Sequence, residues 1–112
     1  MGVQKDAGEI LIYIYNKLVA GAEMPQENEL KEITKWEDNR VKMSSQYLIN
    51  KNLIKGKEHY GLGSTRVQFI SLNDITPQGI DIIENTEEFA REFSFTIGVP
   101  GVFSYSWGAK QK

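Results

Sequence analysis

The chain predicts an α+β domain, mainly α, of three helices, a β-hairpin and a fourth helix. Three observations lead there. Apolar residues recur at helical spacing through the first half of the chain. Residues 53–72 change to short β-branched and aromatic runs broken by glycine and lysine. Thr76-Pro77 then opens a second helical stripe, with Thr as cap and Pro in the first turn.

The first helix is expected over residues 7–20. Asp6 is its expected N-cap, with Glu9 three residues on completing a capping box. Ile10, Leu11, Ile14 and Leu18 form its apolar face, flanked by Tyr13 and Tyr15, so the helix is expected to be buried on more than one side. Gly21 supplies the stop. Met24-Pro25 opens a second helix with a Leu30, Ile33, Trp36 stripe that ends near Lys35. A third follows over 38–52, facing inward with Val41, Ser44, Ser45, Leu48 and Ile49. The two small serines would admit another helix at close range. A single helix over 26–52 competes with this reading, but the apolar period slips at 35–38, which favours a break and a tight helix-turn-helix.

Leu53-Ile54 begins a short strand or ends the third helix, and Lys55-Gly56-Lys57 reads as a turn. Tyr60 and Leu62 alternate with glycines, and Val67, Phe69, Ile70 and Leu72 make a second strand. Gly61, Gly63, Ser64 and Thr65 mark the hairpin tip. In the fourth helix Ile80, Ile83, Phe89 and Phe93 form a stripe, and Glu84, Glu87, Glu88 and Glu92 line the outer surface.

The 112 residues fit one domain with one modest core, here assigned to 1–92. Residues 93–112 form an aromatic extension in which Phe95, Ile97 and Val99, then Phe103, Tyr105 and Trp107, alternate with small residues around Pro100-Gly101. Pro followed by Gly suits a type II turn, so the pattern is compatible with a further hairpin. Its aromatic face either covers the core or makes an association surface through Phe95, Phe103, Tyr105 and Trp107.

The chain has no cysteine, which excludes disulfides and thiolate sites and fits a reducing compartment. With no long apolar run and no leader-like start, a cytoplasmic location without membrane contact is expected. Net charge is −2, which argues mildly against a strong nonspecific nucleic-acid binder. Residues 30–70, however, hold eight basic and four acidic side chains, and the flanking segments are acidic. The positive charge falls on the third helix and hairpin, either as a binding face or as an ordinary solvated one.

No catalytic constellation stands out. His59 is the only histidine and has no metal-ligand set or triad around it. Gly61-Leu62-Gly63-Ser64-Thr65 lacks the lysine and the strand-to-helix setting of a phosphate loop. The carboxylates of Asp81 and Glu84 read as a solvated helix face, and Ser44 and Ser45 as packing residues. The expectation is a protein that is not an enzyme and takes no cofactor or metal.

Three segments carry a family resemblance: V-K-M-S-S-Q-Y-L-I-N-K-N-L-I at 41–54, the glycine-bounded hairpin, and I-T-P-Q-G-I-D-I-I-E at 75–84. Together, over 7–92, they resemble the winged helix-turn-helix proteins, most of all small prokaryotic or phage members, many of which are transcription regulators. That resemblance implies duplex DNA as partner, with the third helix in the major groove and the wing on flanking backbone. Outward residues of that helix would be Asn39, Arg40, Lys42, Met43, Gln46 and Asn50. Arg40 and Lys42 would meet phosphates or guanine, and Asn39 or Gln46 adenine edges. Lys57, His59 and Arg66 would lie on the wing and Lys35 near the turn between helices, all placed for phosphates. Glu37 and Asp38 depart from the pattern, because two carboxylates there favour the helix dipole but repel phosphates. The other reading is a protein-interaction module, with a homodimer or another protein held by the aromatic extension.

Overall fold

The computed structural model describes residues 2–93. The aromatic residues Phe95, Phe103, Tyr105 and Trp107, and the hairpin pattern they belong to, lie outside that range. Within it the order is α1 (Val3–Val19), α2 (Glu27–Thr34), α3 (Asp38–Asn50), β1 (Ile54–Tyr60), β2 (Val67–Ile75), α4 (Pro77–Glu84) and α5 (Thr86–Phe93). The architecture is α+β, mainly helical, with a two-stranded antiparallel hairpin between helices. No helix among the described residues is long and apolar enough to cross a membrane.

The core is assembled from one face of nearly every element. Ile10, Leu11 and Ile14 of α1 meet Leu30 of α2, Val41 and Leu48 of α3, Ile54 of β1, Ile70 and Leu72 of β2, and Phe89 and Phe93 of α5. Helix α1 packs against α3, α4 and α5, which explains its wide apolar face. It closes at Gly21, whose φ of 85° lets Ala22 N–H reach Lys17 O at 2.9 Å.

Several expectations are corrected. Asp6 is not an N-cap: α1 starts at Val3, and Asp6 lies buried in its first turn, where Arg40 of α3 satisfies it. Helix α2 opens at Glu27 rather than Met24-Pro25, because Gln26 stays extended (φ −109°, ψ 177°) to reach β2. The single helix over 26–52 does not form. Thr34 Oγ1 donates to Leu30 O and accepts from Trp36 N–H, and Lys35 turns left-handed at φ 63°.

Lys55-Gly56-Lys57 is not a turn but the middle of β1. Gly56 is needed there because a Cβ would stand 2.8 Å from Ile49 Cδ1 and 2.7 Å from Ser71 O. The pairing is irregular beside it, between Lys55 and Gly56, and again between His59 and Tyr60. The tip turns at Gly63, with φ of 70°.

The expected fourth helix is two helices. Asn85 is extended (φ −106°, ψ 98°), and its side chain accepts from Glu88 N–H at 3.1 Å, so one residue ends α4 and caps α5. The bend lets the buried Phe89 and Phe93 pack on α1 and α3.

Candidate nucleic-acid interface

The outer side of α3 is narrower than its sequence suggests. Asn39, Met43 and Asn50 are exposed, Arg40 and Gln46 are half-buried, and Lys42 is buried. The expectation that Lys42 points outward is therefore corrected. Its ammonium donates to Asp38 Oδ2 at 2.6 Å and lies 3.6 Å from Glu27 Oε1. Glu27 in turn accepts from Ile70 N–H of β2 at 3.0 Å. Burial holds the Glu27 carboxyl above the usual carboxylate range, against the opposing pull of Lys42 and the Ile70 amide. Hydrogen bonds from Lys42 and Lys31 hold Asp38 below it.

Arg40 is engaged as well. Its Nε and Nη2 donate to the two carboxylate oxygens of Asp6 at 2.8 and 3.0 Å, and the guanidinium lies 4.1 Å from the Trp36 ring centroid. A bidentate pair stacked on an indole fixes both ends of the side chain. This arrangement joins α1 to α3 and leaves Arg40 unavailable for a base or phosphate without rupture of the pair. Gln46 donates to Glu58 Oε2 at 3.0 Å and ties α3 to β1. Glu37 and Asp38 sit exposed where α3 begins, Asp38 being the acceptor for Lys31 and Lys42.

The cations left over are elsewhere. Lys35, Lys55, Lys57 and Arg66 are exposed and make no ion pair among the described residues. Lys35 precedes α3, Lys55, Lys57 and Arg66 belong to the hairpin, and Arg91 of α5 is likewise exposed and outside any ion pair among the described residues. Lys55 was not singled out from sequence, because the turn reading hid its place on the strand.

The hairpin has two unlike faces. Ile54, Gly56 and Glu58 of β1, with Ile70 and Leu72 of β2, turn toward the core and α3. On the other face Lys57 is paired with Ser71 and His59 with Phe69. The His59 and Phe69 rings stack at 4.2 Å and 8°, and His59 Nε2 lies 2.7 Å from Ser71 Oγ. Phe69 is 49 % exposed. Sequence reading placed Phe69 in the apolar strand, yet adjacent Phe69 and Ile70 cannot both face inward on a pleated strand, and that alternation was the available signal.

Among the described residues no group of three or more His, Asp or Glu is arranged to hold a metal ion. Comparison of the chain with protein-family models, curated proteins and solved structures found no match.

Proposed function

We propose that the chain is a winged helix that binds duplex DNA, as a small transcription regulator does. The observation that carries the reading is the sorting of cations. Arg40 and Lys42 are consumed by Asp6, Asp38 and Glu27, while Lys35 before α3 and Lys57 and Arg66 of the hairpin are exposed and make no ion pair among the described residues. Lys35 lies at the turn before α3, and the Gln46–Glu58 contact sets the hairpin beside its second half. Asn39, Met43 and Asn50 are then the groove-facing residues, and the free cations take phosphates on the flanks. Lys55 joins that flanking set, and Arg40 and Lys42 leave the reading set for structural roles.

Three to four phosphate contacts predict a slope of log K on log salt near −3, well short of a heavily basic binder. The test is an amide NMR titration with generic duplex DNA at about 50 and 200 mM salt. Shifts at Lys35, Asn39, Met43, Lys57 and Arg66 that fade at the higher salt are expected. Lys57→Ala and Arg66→Ala should each reduce the salt slope by about 1. No shift at the lower salt would remove the proposal.

A further inference from the structure

We propose that the outward face of the hairpin is a stacking site for an unpaired base, so that the protein binds single-stranded DNA through Phe69, with Lys57 and Arg66 on the phosphates. The inference takes its ligand class from the DNA reading above but uses the hairpin face turned away from α3.

Phe69 is half exposed near the start of β2, beside the irregularity between His59 and Tyr60, with its ring stacked on His59. The pair is already ordered. His59 is held by Ser71 through a 2.7 Å contact and by Phe69 through near-parallel stacking, so a third ring added to the stack immobilises little that is not already fixed. Bases stack on aromatic rings whatever their sequence, because every base has a π-face.

The charge on this face fits a phosphate backbone. Lys57 stands two residues before His59 on the same strand and opposite Ser71, and Arg66 directly precedes β2. Both are exposed and make no ion pair among the described residues. The carboxylate nearest them on β1, Glu58, is turned to the other side, where Gln46 and the Tyr60 hydroxyl bind it. The outward strand positions from Lys57 to Phe69 thus combine one cation, stacked rings and a hydroxyl, with Arg66 just before β2, and the next outward pair sets Lys55 opposite Asp74. An apolar protein partner would gain little from the two free cations, whereas a single strand uses rings and cations together.

The test measures fluorescence anisotropy of a labelled oligo(dT) and of a labelled blunt duplex with the full chain at about 50 mM salt. Phe69→Ala is expected to weaken oligo(dT) binding about tenfold or more, with duplex affinity changed less than about twofold. Phe69→Trp, which keeps a stacking ring, should hold oligo(dT) affinity within about twofold. Equal losses in both variants would overturn the stacking site, as would parent-like binding by Phe69→Ala. Duplex binding without oligo(dT) binding would also overturn it while leaving the duplex reading intact. Binding to neither would remove both.

Discussion

At the residue scale, Arg40 shows how a cation on a helix's polar side can be spent inside the protein. Asp6 is buried, and removal of its guanidinium partner would leave a desolvated carboxylate on α1. Arg40→Ala is therefore expected to cost about 2 kcal/mol in urea denaturation, and its salt slope for DNA should match the parent's. A lowered slope with unchanged stability would return Arg40 to the DNA-contact set. Ser45 presents the opposite case. It is fully buried, and among the described residues its hydroxyl has no hydrogen-bond partner, unlike Ser44, which donates to Arg40 O at 2.9 Å. Ser45→Ala should be neutral or stabilising by up to about 1 kcal/mol, whereas Ser44→Ala should destabilise. The inward Val41, Ser44, Ser45 and Leu48 of α3 were legible from period, but the burial of Lys42 was not. Asp38 stands four residues before Lys42, a local pair, but Asp6 and Glu27 lie far away in sequence and only the tertiary fold brings them near.

At the element scale, the motif Thr76-Pro77-Gln78-Gly79 joins two junctions. Thr76 Oγ1 accepts from Gly79 N–H at 3.0 Å and donates to Asn52 O at 2.7 Å, and Thr76 N–H donates to Leu53 O at 3.1 Å. The start of α4 is thus clasped to the exit of α3. A Cβ on Gly79 would fall 2.2 Å from Leu53 O, a backbone atom that cannot move away alone. Gly79→Ala is expected to destabilise by about 3 kcal/mol, visible as a lowered urea midpoint. A change below about 0.5 kcal/mol would mean the clasp is looser than described. Thr and Pro could be read as a helix start because capping is local chemistry. The need for glycine could not, because it arises from a carbonyl 26 residues earlier. The same distinction explains the strand through Lys55-Gly56-Lys57, where the glycine answers Ile49 of α3 rather than a turn. It also explains the break at Asn85, where an unbroken stripe of apolar residues hid a capping side chain.

At the scale of the whole molecule, the coarse order of helices, hairpin and closing helical segment was legible, as was most of the core, because apolar period is a property of the chain. The charge layout was not, because neutralisation depends on which helices meet. Besides Arg40 to Asp6, Tyr13 and Lys17 reach Glu29, Tyr15 reaches Glu84, and Tyr47 and Lys51 reach Glu92. The two carboxyl groups around Lys42, Asp38 and Glu27, give stability a two-sided response to pH. Asp38 has a lowered carboxyl, so its contribution is present above the ordinary Asp range and is lost as pH falls through its folded value. Glu27 has a raised one. The folded state holds that proton more tightly than the unfolded state, so stability declines as pH climbs from the ordinary value of 4.5 through the folded value. In urea denaturation at pH 4.5 and again above the folded value, Glu27→Gln should therefore gain on the parent at the higher pH. A difference from the parent that is the same at both pH values would contradict this.

The side chains that occupy the outer edge of β2 carry a consequence for association. Gln26 gives and takes a hydrogen bond with Leu72, at 2.7 and 2.9 Å, and Glu27 takes the Ile70 amide. Two consecutive side chains at the start of α2 thus do what a neighbouring strand would do, and they close that edge to strand addition by another molecule. The closure lasts only while α2 is docked. Hydrogen exchange at the Ile70 and Leu72 amides should therefore follow the lifting of a helix rather than the opening of the hairpin, and loosening of α2 would expose an edge on which copies of the chain could polymerise.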